Sequence, residues 1–303
     1  MHGYGVKNIA DGTFYPSIQQ LALLSLMAFP VDSFVFISGF YGIKLKKEKA
    51  LRMLLQASYF FLLCIILRNI FHIGPNIPHG IILINALPIT NRAWWFLAWY
   101  FMLMLLSPII EAGIRGVDIS KLGKILVCVI AINCVGTWVN GLHSGSDFVG
   151  LLTIYLMGRY VGLSDIHVGR LTSSFSLLLS TAILVVLLCV ALRYDRLYFV
   201  WILLSLCNPL IVIQAISVFY LTKSLPGRPC RICNFLGAHC FGIYLLTEFT
   251  GNHFYIWWRH IYESQGLTLL LISVLSLCIA ACILDYIGEK VFLPVKRVML
   301  RII

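Results

Sequence analysis

The sequence predicts an all-α integral membrane protein, a polytopic bundle of about nine transmembrane helices. Three observations lead there. Apolar residues make up 60% of the 303-residue chain and charged residues only 12%, about half the charged share of an ordinary soluble domain. Mean hydropathy is +0.92. Continuous apolar runs of about 17 to 25 residues, the length that crosses a hydrocarbon core as a helix, recur between short polar or basic loops. A β-barrel would instead show ten-residue segments of alternating polarity.

The expected spans lie near 21–43, 51–71, 93–111, 122–142, 147–164, 171–192, 198–222, 235–250 and 266–292. The first holds Asp32 and the pair Ser38-Gly39 within an otherwise apolar run and gives way to a loop of lysines from Lys44 to Lys49. A carboxylate inside such a run has to be hydrated, paired or used. The second span starts from that basic loop and has Arg68 near its far end; the third opens on Trp94-Trp95 and reaches Ser107-Pro108. The fourth follows Lys121 and Lys124, the fifth carries Arg159 near its end, and the sixth runs between Arg170 and Arg193. Arg68 and Arg159 are expected to snorkel from these positions. Pro209 is expected to kink the seventh span. The eighth is short for a full crossing, and the ninth ends before the basic tail of Lys296, Arg297 and Arg301. No Pro, Ser or Gly-rich stretch is long enough to separate domains, so residues 1–303 are expected to form one.

Basic residues orient the bundle. With the Lys44 to Lys49 loop in the cytoplasm, that face collects 17 of the 23 Lys and Arg residues and the other keeps six. The expectation is a multi-pass cell-membrane protein with a cytoplasmic C-terminus. The net charge of +11 is then accounted for by topology and anionic lipid headgroups rather than by nucleic acid. Nine spans ending inside put the N-terminus outside, although residues 1 to 20 carry neither a signal peptide nor a preceding span. A first helix upstream of Met1 is the expectation that resolves this parity.

The ten cysteines fall mostly within spans, where a thiol behaves as a small apolar group. Cys230-Arg231-Ile232-Cys233 with His239 and Cys240 has a superficially zinc-like spacing, but too little loop surrounds it to fold round an ion, so no metal is expected. His72 and His79 lack further ligand-type neighbours.

Several blocks carry a family resemblance. Val31-Asp32-Ser33-Phe34-Val35-Phe36-Ile37-Ser38-Gly39-Phe40 followed by the lysine loop resembles the second helix of membrane acyltransferase family 3, enzymes that acylate surface glycans. Trp94-Trp95-Phe96-Leu97 running to Leu106-Ser107-Pro108, then Asn208-Pro209 with Gln214-Ala215-Ile216, then Phe241-Gly242-Ile243-Tyr244-Leu245, are similar to later family blocks in the same order. Family members have ten spans, with the catalytic histidine closing the first, and Met1-His2-Gly3-Tyr4-Gly5 resembles that closing segment. An arginine that relatives carry near the start of the first helix is absent here, and Thr247 stands where many carry a histidine before Glu248.

The resemblance implies acyl transfer from an acyl-coenzyme A, acetyl by default, to a hydroxyl of a cell-surface or lipid-linked carbohydrate, with no tightly bound cofactor. His2 is then the expected base, since a neutral imidazole suits proton removal near pH 7. Asp32 is expected to orient that histidine or the acceptor. Lys46, Lys47, Lys49 and Arg52 are the candidates for the donor's phosphates; Lys49 and Arg52, three residues apart, present two cations on one helical face. Trp94, Trp95 and Glu248 are the candidates for the carbohydrate, although anchoring at the membrane interface is the favoured account of the tryptophans. Two other readings use the same residues: a transporter or flippase of glycan precursors, and an inactive acyltransferase remnant.

Overall fold

The computed structural model describes residues 18–70, 94–139, 147–194, 196–206, 208–227, 230–248 and 254–302, and every regular element among them is an α-helix. In chain order these are α1 (Ile18–Leu26), α2 (Pro30–Tyr41), α3 (Lys47–Ile70), α4 (Trp95–Arg115), α5 (Ile119–Val139), α6 (Phe148–Ser164), α7 (Arg170–Arg193), α8 (Leu197–Leu203), α9 (Pro209–Lys223), α10 (Arg231–Thr247) and α11 (Phe254–Ile302). Among the described residues, six segments are long and apolar enough to cross a membrane: Leu21–Tyr41, Lys47–Leu67, Trp95–Arg115, Ile119–Gly136, Arg170–Arg193 and Leu271–Met299. α6 and α9 are shorter apolar helices.

Helix breaks fall where backbone chemistry puts them. The first apolar run is two helices, because Pro30 can begin α2 but cannot continue α1. The 198–222 run likewise divides into α8 and α9. Asn208 caps α9 by accepting from the Leu210 amide at 2.9 Å, and Pro209 fills the first helical position. The expected kink is therefore a full break. α11 shows the opposite departure, a single helix of 49 residues in place of a 27-residue span.

The described residues fall into two compact units. One takes its members from Leu45–Ala98 and Gly227–Ile303, the other from His2–Lys44 and Trp99–Pro226. In the first, α3, α10 and α11 pack on one another around Ala57, Phe60, Cys64, Trp94, Leu97, Leu245 and Ala281. In the second, α2 packs on α6 and α9, and α7 packs on α1, α8 and α9, with Leu21, Leu184, Leu188 and Ile211 in the core.

The tightest crossing, α2 on α6, explains the glycine of the Ser-Gly pair in the first span. A Cβ on Gly39 would collide with the carbonyl oxygen of Tyr155, and one on Gly158 with the carbonyl oxygen of Phe36. Lipid tails give apolar helices no reason to associate, so close backbone approach at small residues supplies the contact energy. The large apolar side chains left outside, such as Ile109, Ile132 and Leu171, suit lipid rather than water.

Candidate functional site

Two polar constellations lie inside these apolar helices, one in each unit. The constellation on α2 centres on Asp32, in the helix's first turn, where a carboxylate complements the positive end of the helix dipole. Its side chain is fully buried, and neither carboxylate oxygen has a hydrogen-bond partner among the described residues. Bare buried carboxylate oxygens are rare in native proteins because desolvation without compensation is costly. Ser25 and Ser33, also on α1 and α2, likewise keep hydroxyls without a partner.

Farther along the same unit, α4 and α6 meet through a satisfied acid. Glu111 accepts from Tyr155 Oη at 2.7 Å and from Arg159 Nε at 2.8 and 3.0 Å, while Tyr155 Oη accepts from the Ile43 amide at 3.2 Å. Arg159 therefore does not snorkel as its position near a helix end suggests. It is spent on a carboxylate, and both side chains are largely buried. Glu111 carried no signal in the sequence, because an acid near the end of an apolar run reads as a boundary residue. The side chain of Arg68 lies outside the described residues.

In the other unit the expected donor cations line the beginning of α3. Lys46 is its N-terminal flank, with a carbonyl that accepts from the amides of Lys49 and Ala50. Lys46, Lys47, Lys49 and Arg52 are all exposed. Arg52 forms an ion pair with Glu289 of α11. Beside that pair, a cavity of about 200 Å³ is lined by Arg52, Tyr286, Glu289, Lys290, Phe292, Leu293 and Lys296. Lys290 and Lys296 thus join Arg52 around one opening, a grouping that only the packing of α11 on α3 creates.

One turn along α3 from Arg52, Gln56 Nε2 donates to Asp285 Oδ1 at 2.5 Å, and His239 Nδ1 lies 2.7 Å from Asp285 Oδ2. All three side chains are buried. His239, grouped by spacing with Cys230, Cys233 and Cys240, instead belongs to this network. Cys230 caps α10, its sulfur accepting from the Cys233 amide at 3.3 Å. A hydrogen bond from the Cys233 thiol, together with that amide bond, holds the exposed Cys230 thiol below the usual thiol range.

The carbohydrate candidates sit apart from one another chemically. Trp94 is 1% exposed; its Nε1 donates to the Leu245 carbonyl at 2.9 Å and its ring meets Phe61 edge-on. No face of that indole is open for a sugar. Trp95 is half-buried against Phe96, and Glu248, half-buried, terminates α10. His2 lies outside the described residues.

A family model described as an acyltransferase domain matches residues 2–286. No curated protein and no solved structure matches the chain. The match covers nearly the whole length, and the chain belongs to acyltransferase family 3.

Proposed function

We propose that this membrane acyltransferase moves an acyl group, acetyl in the first instance, from acyl-coenzyme A to a hydroxyl of a cell-surface or lipid-linked carbohydrate. The observation that carries the catalytic half of the reading is Asp32, a carboxylate buried inside an apolar helix with both oxygens bare among the described residues. Such a group requires a partner. His2 is that partner in this reading, with Asp32 fixing the imidazole so that the second ring nitrogen removes the acceptor's proton. Cations at the start of α3 support the donor half. Lys46, Lys47 and Lys49 are exposed, and Arg52, Lys290 and Lys296 surround one opening, an arrangement suited to several phosphates at once. In this topology that end of α3 and the C-terminus face the cytoplasm, where acyl-coenzyme A is made.

The test is turnover by the protein reconstituted in lipid vesicles with acetyl-coenzyme A and a panel of soluble and lipid-linked carbohydrates. Coenzyme A thiol should appear only with a carbohydrate present, in step with acetylated product, and His2→Ala should reduce it by a hundredfold or more, the usual range for a general base. Movement of a lipid-linked sugar between leaflets with acetyl-coenzyme A left intact would establish a flippase instead.

A further inference from the structure

Cys230 and Cys233 have no part in the acyl-transfer reading, yet together they make a chemically complete pair at the start of α10. Cys230 is the N-cap and Cys233 the third helical residue. Both are free thiols and both are exposed, as are Arg231 and Ile232 between them. An N-cap side chain turns back over the first turn of its own helix. Cys230 does this with sulfur in place of the usual oxygen, and its Sγ accepts from the Cys233 amide at 3.3 Å. The Cys233 thiol donates to the same sulfur. Helix radius and rise put residues three apart roughly 5 Å from Cα to Cα, inside the range of about 4.4–6.8 Å over which a disulfide closes. The sulfurs already share a hydrogen, so joining them calls for side-chain rotation and no movement of the helix.

The two thiols are not equivalent. Both hydrogen bonds converge on Cys230 and favour its thiolate, so that thiol lies below the usual range; the same contact keeps the proton on Cys233 and pushes that thiol up. Arg231 adds a cation next to Cys230, the first turn holds no acid, and the amides of that turn present the positive end of the helix dipole. Closely spaced cysteines elsewhere lack this setting. Cys278 and Cys282, four residues apart, lie inside the apolar segment Leu271–Met299, and Cys282 is buried.

We propose that Cys230 and Cys233 form a thiol–disulfide exchange site for small soluble disulfides, with Cys230 as the nucleophile and Cys233 as the resolving thiol. The site is independent of the acyl-transfer reading. Cys230 releases its proton to water, and its thiolate attacks one sulfur of the incoming disulfide. That S–S bond breaks, the first small thiolate leaves and takes up a proton from water, and Cys230 carries a mixed disulfide. Cys233 then gives up its proton as its sulfur bonds to that of Cys230, and the second small thiolate leaves and takes up that proton. Two protein thiols have been oxidised to one disulfide, and one small disulfide has been reduced to two thiols. Excess small thiol runs the same steps backwards. Tethering Cys233 one turn away makes closure unimolecular, so it outpaces capture of the adduct by a second dissolved thiol. In the topology proposed above this end of α10 faces the cytoplasm, where disulfides are transient and exchange-linked rather than structural.

The experiment treats the full chain in lipid nanodiscs with glutathione disulfide, quenches with acid, and follows the peptide that contains residues 230–233 by mass spectrometry. Wild type should lose two hydrogens as an internal disulfide, retain no glutathione, and return to the dithiol with excess reduced glutathione. Cys233→Ser should stop at a glutathione adduct on Cys230. In Cys230→Ser the adduct on Cys233 should form more slowly, by about threefold or more, because the better thiolate is gone. A glutathione adduct that persists on wild-type Cys230 overturns the proposal, as do equal rates in the two variants. Wild-type thiols that stay unreacted overturn it as well, and that arm needs no variant to insert. Acyl-transfer turnover, present or absent in the same preparation, bears on the other reading alone.

Discussion

Asp32 and Asp285 are both fully buried and both lie within apolar helices, yet Asp285 accepts hydrogen bonds at its two oxygens and Asp32 at neither among the described residues. The difference separates two ways of keeping an acid in a membrane. Around Asp285 the protein supplies an amide and an imidazole from two neighbouring helices, so the desolvated charge is compensated and the donors are oriented. Around Asp32 no described side chain does this. Compensation on one side makes a positioned network; its lack on the other marks a group held ready for a partner. Glu111, held by Tyr155 and Arg159 in the same unit as Asp32, shows that the unit can satisfy an acid where the acid is structural.

Substituting Asp32 tests the contrast most severely. Asp32→Asn should cost between a hundredfold and ten-thousandfold in acyl-transfer rate while changing stability by less than about 1 kcal/mol, because no described hydrogen bond is lost. Turnover in vesicles and thermal unfolding of the same preparation measure both. A variant that unfolds but keeps its specific activity would place Asp32 with the structural acids.

Glu111→Ala should show the reverse pattern. Removing the acid strands Arg159 in a largely buried position, for which a loss of about 3–5 kcal/mol is expected. Unfolding in mixed micelles measures it, and a loss below about 1 kcal/mol would mean that Arg159 finds water there after all.

A smaller effect is expected at Trp94. Replacing it with phenylalanine leaves the buried Leu245 carbonyl without its 2.9 Å donor, at a cost of about 1–3 kcal/mol, with the KM for carbohydrate unaltered. A tenfold rise in that KM in a folded variant would return Trp94 to the acceptor site.

Cys230 gives the mildest test. Its thiol is held below the usual range by hydrogen bonds from Cys233, so its thiolate persists to lower pH than that of an ordinary cysteine. Alkylation of Cys230 should therefore remain measurable further into acid than that of an unperturbed thiol, and Cys233→Ala should erase part of the difference. Equal pH profiles in the two proteins would remove Cys233 as the cause.

Much of the architecture was legible in the amino-acid order because apolar runs and their interruptions are local properties. The helical class, the approximate position of each apolar segment and the disturbance at Pro209 need no tertiary information: a run of about 20 apolar residues has few other ways to satisfy its backbone in lipid. The anomaly of Asp32 within such a run was legible for the same reason, as was the clustering of Lys46, Lys47, Lys49 and Arg52 at the start of α3. What each polar side chain touches depended on which helices pack together, and hydropathy says nothing about that. Asp285 lies 229 residues from Gln56 and 46 from His239, and in sequence it is one acid near the end of a long apolar helix. Arg159 read as a snorkelling cation until α4 brought Glu111 to it, and Trp94 read as an interfacial aromatic until α10 offered the Leu245 carbonyl. Gly39 and Gly158 join the two levels, since their missing side chains are written in the sequence. Their purpose, letting α2 and α6 touch backbone to backbone, exists only once both helices are in place.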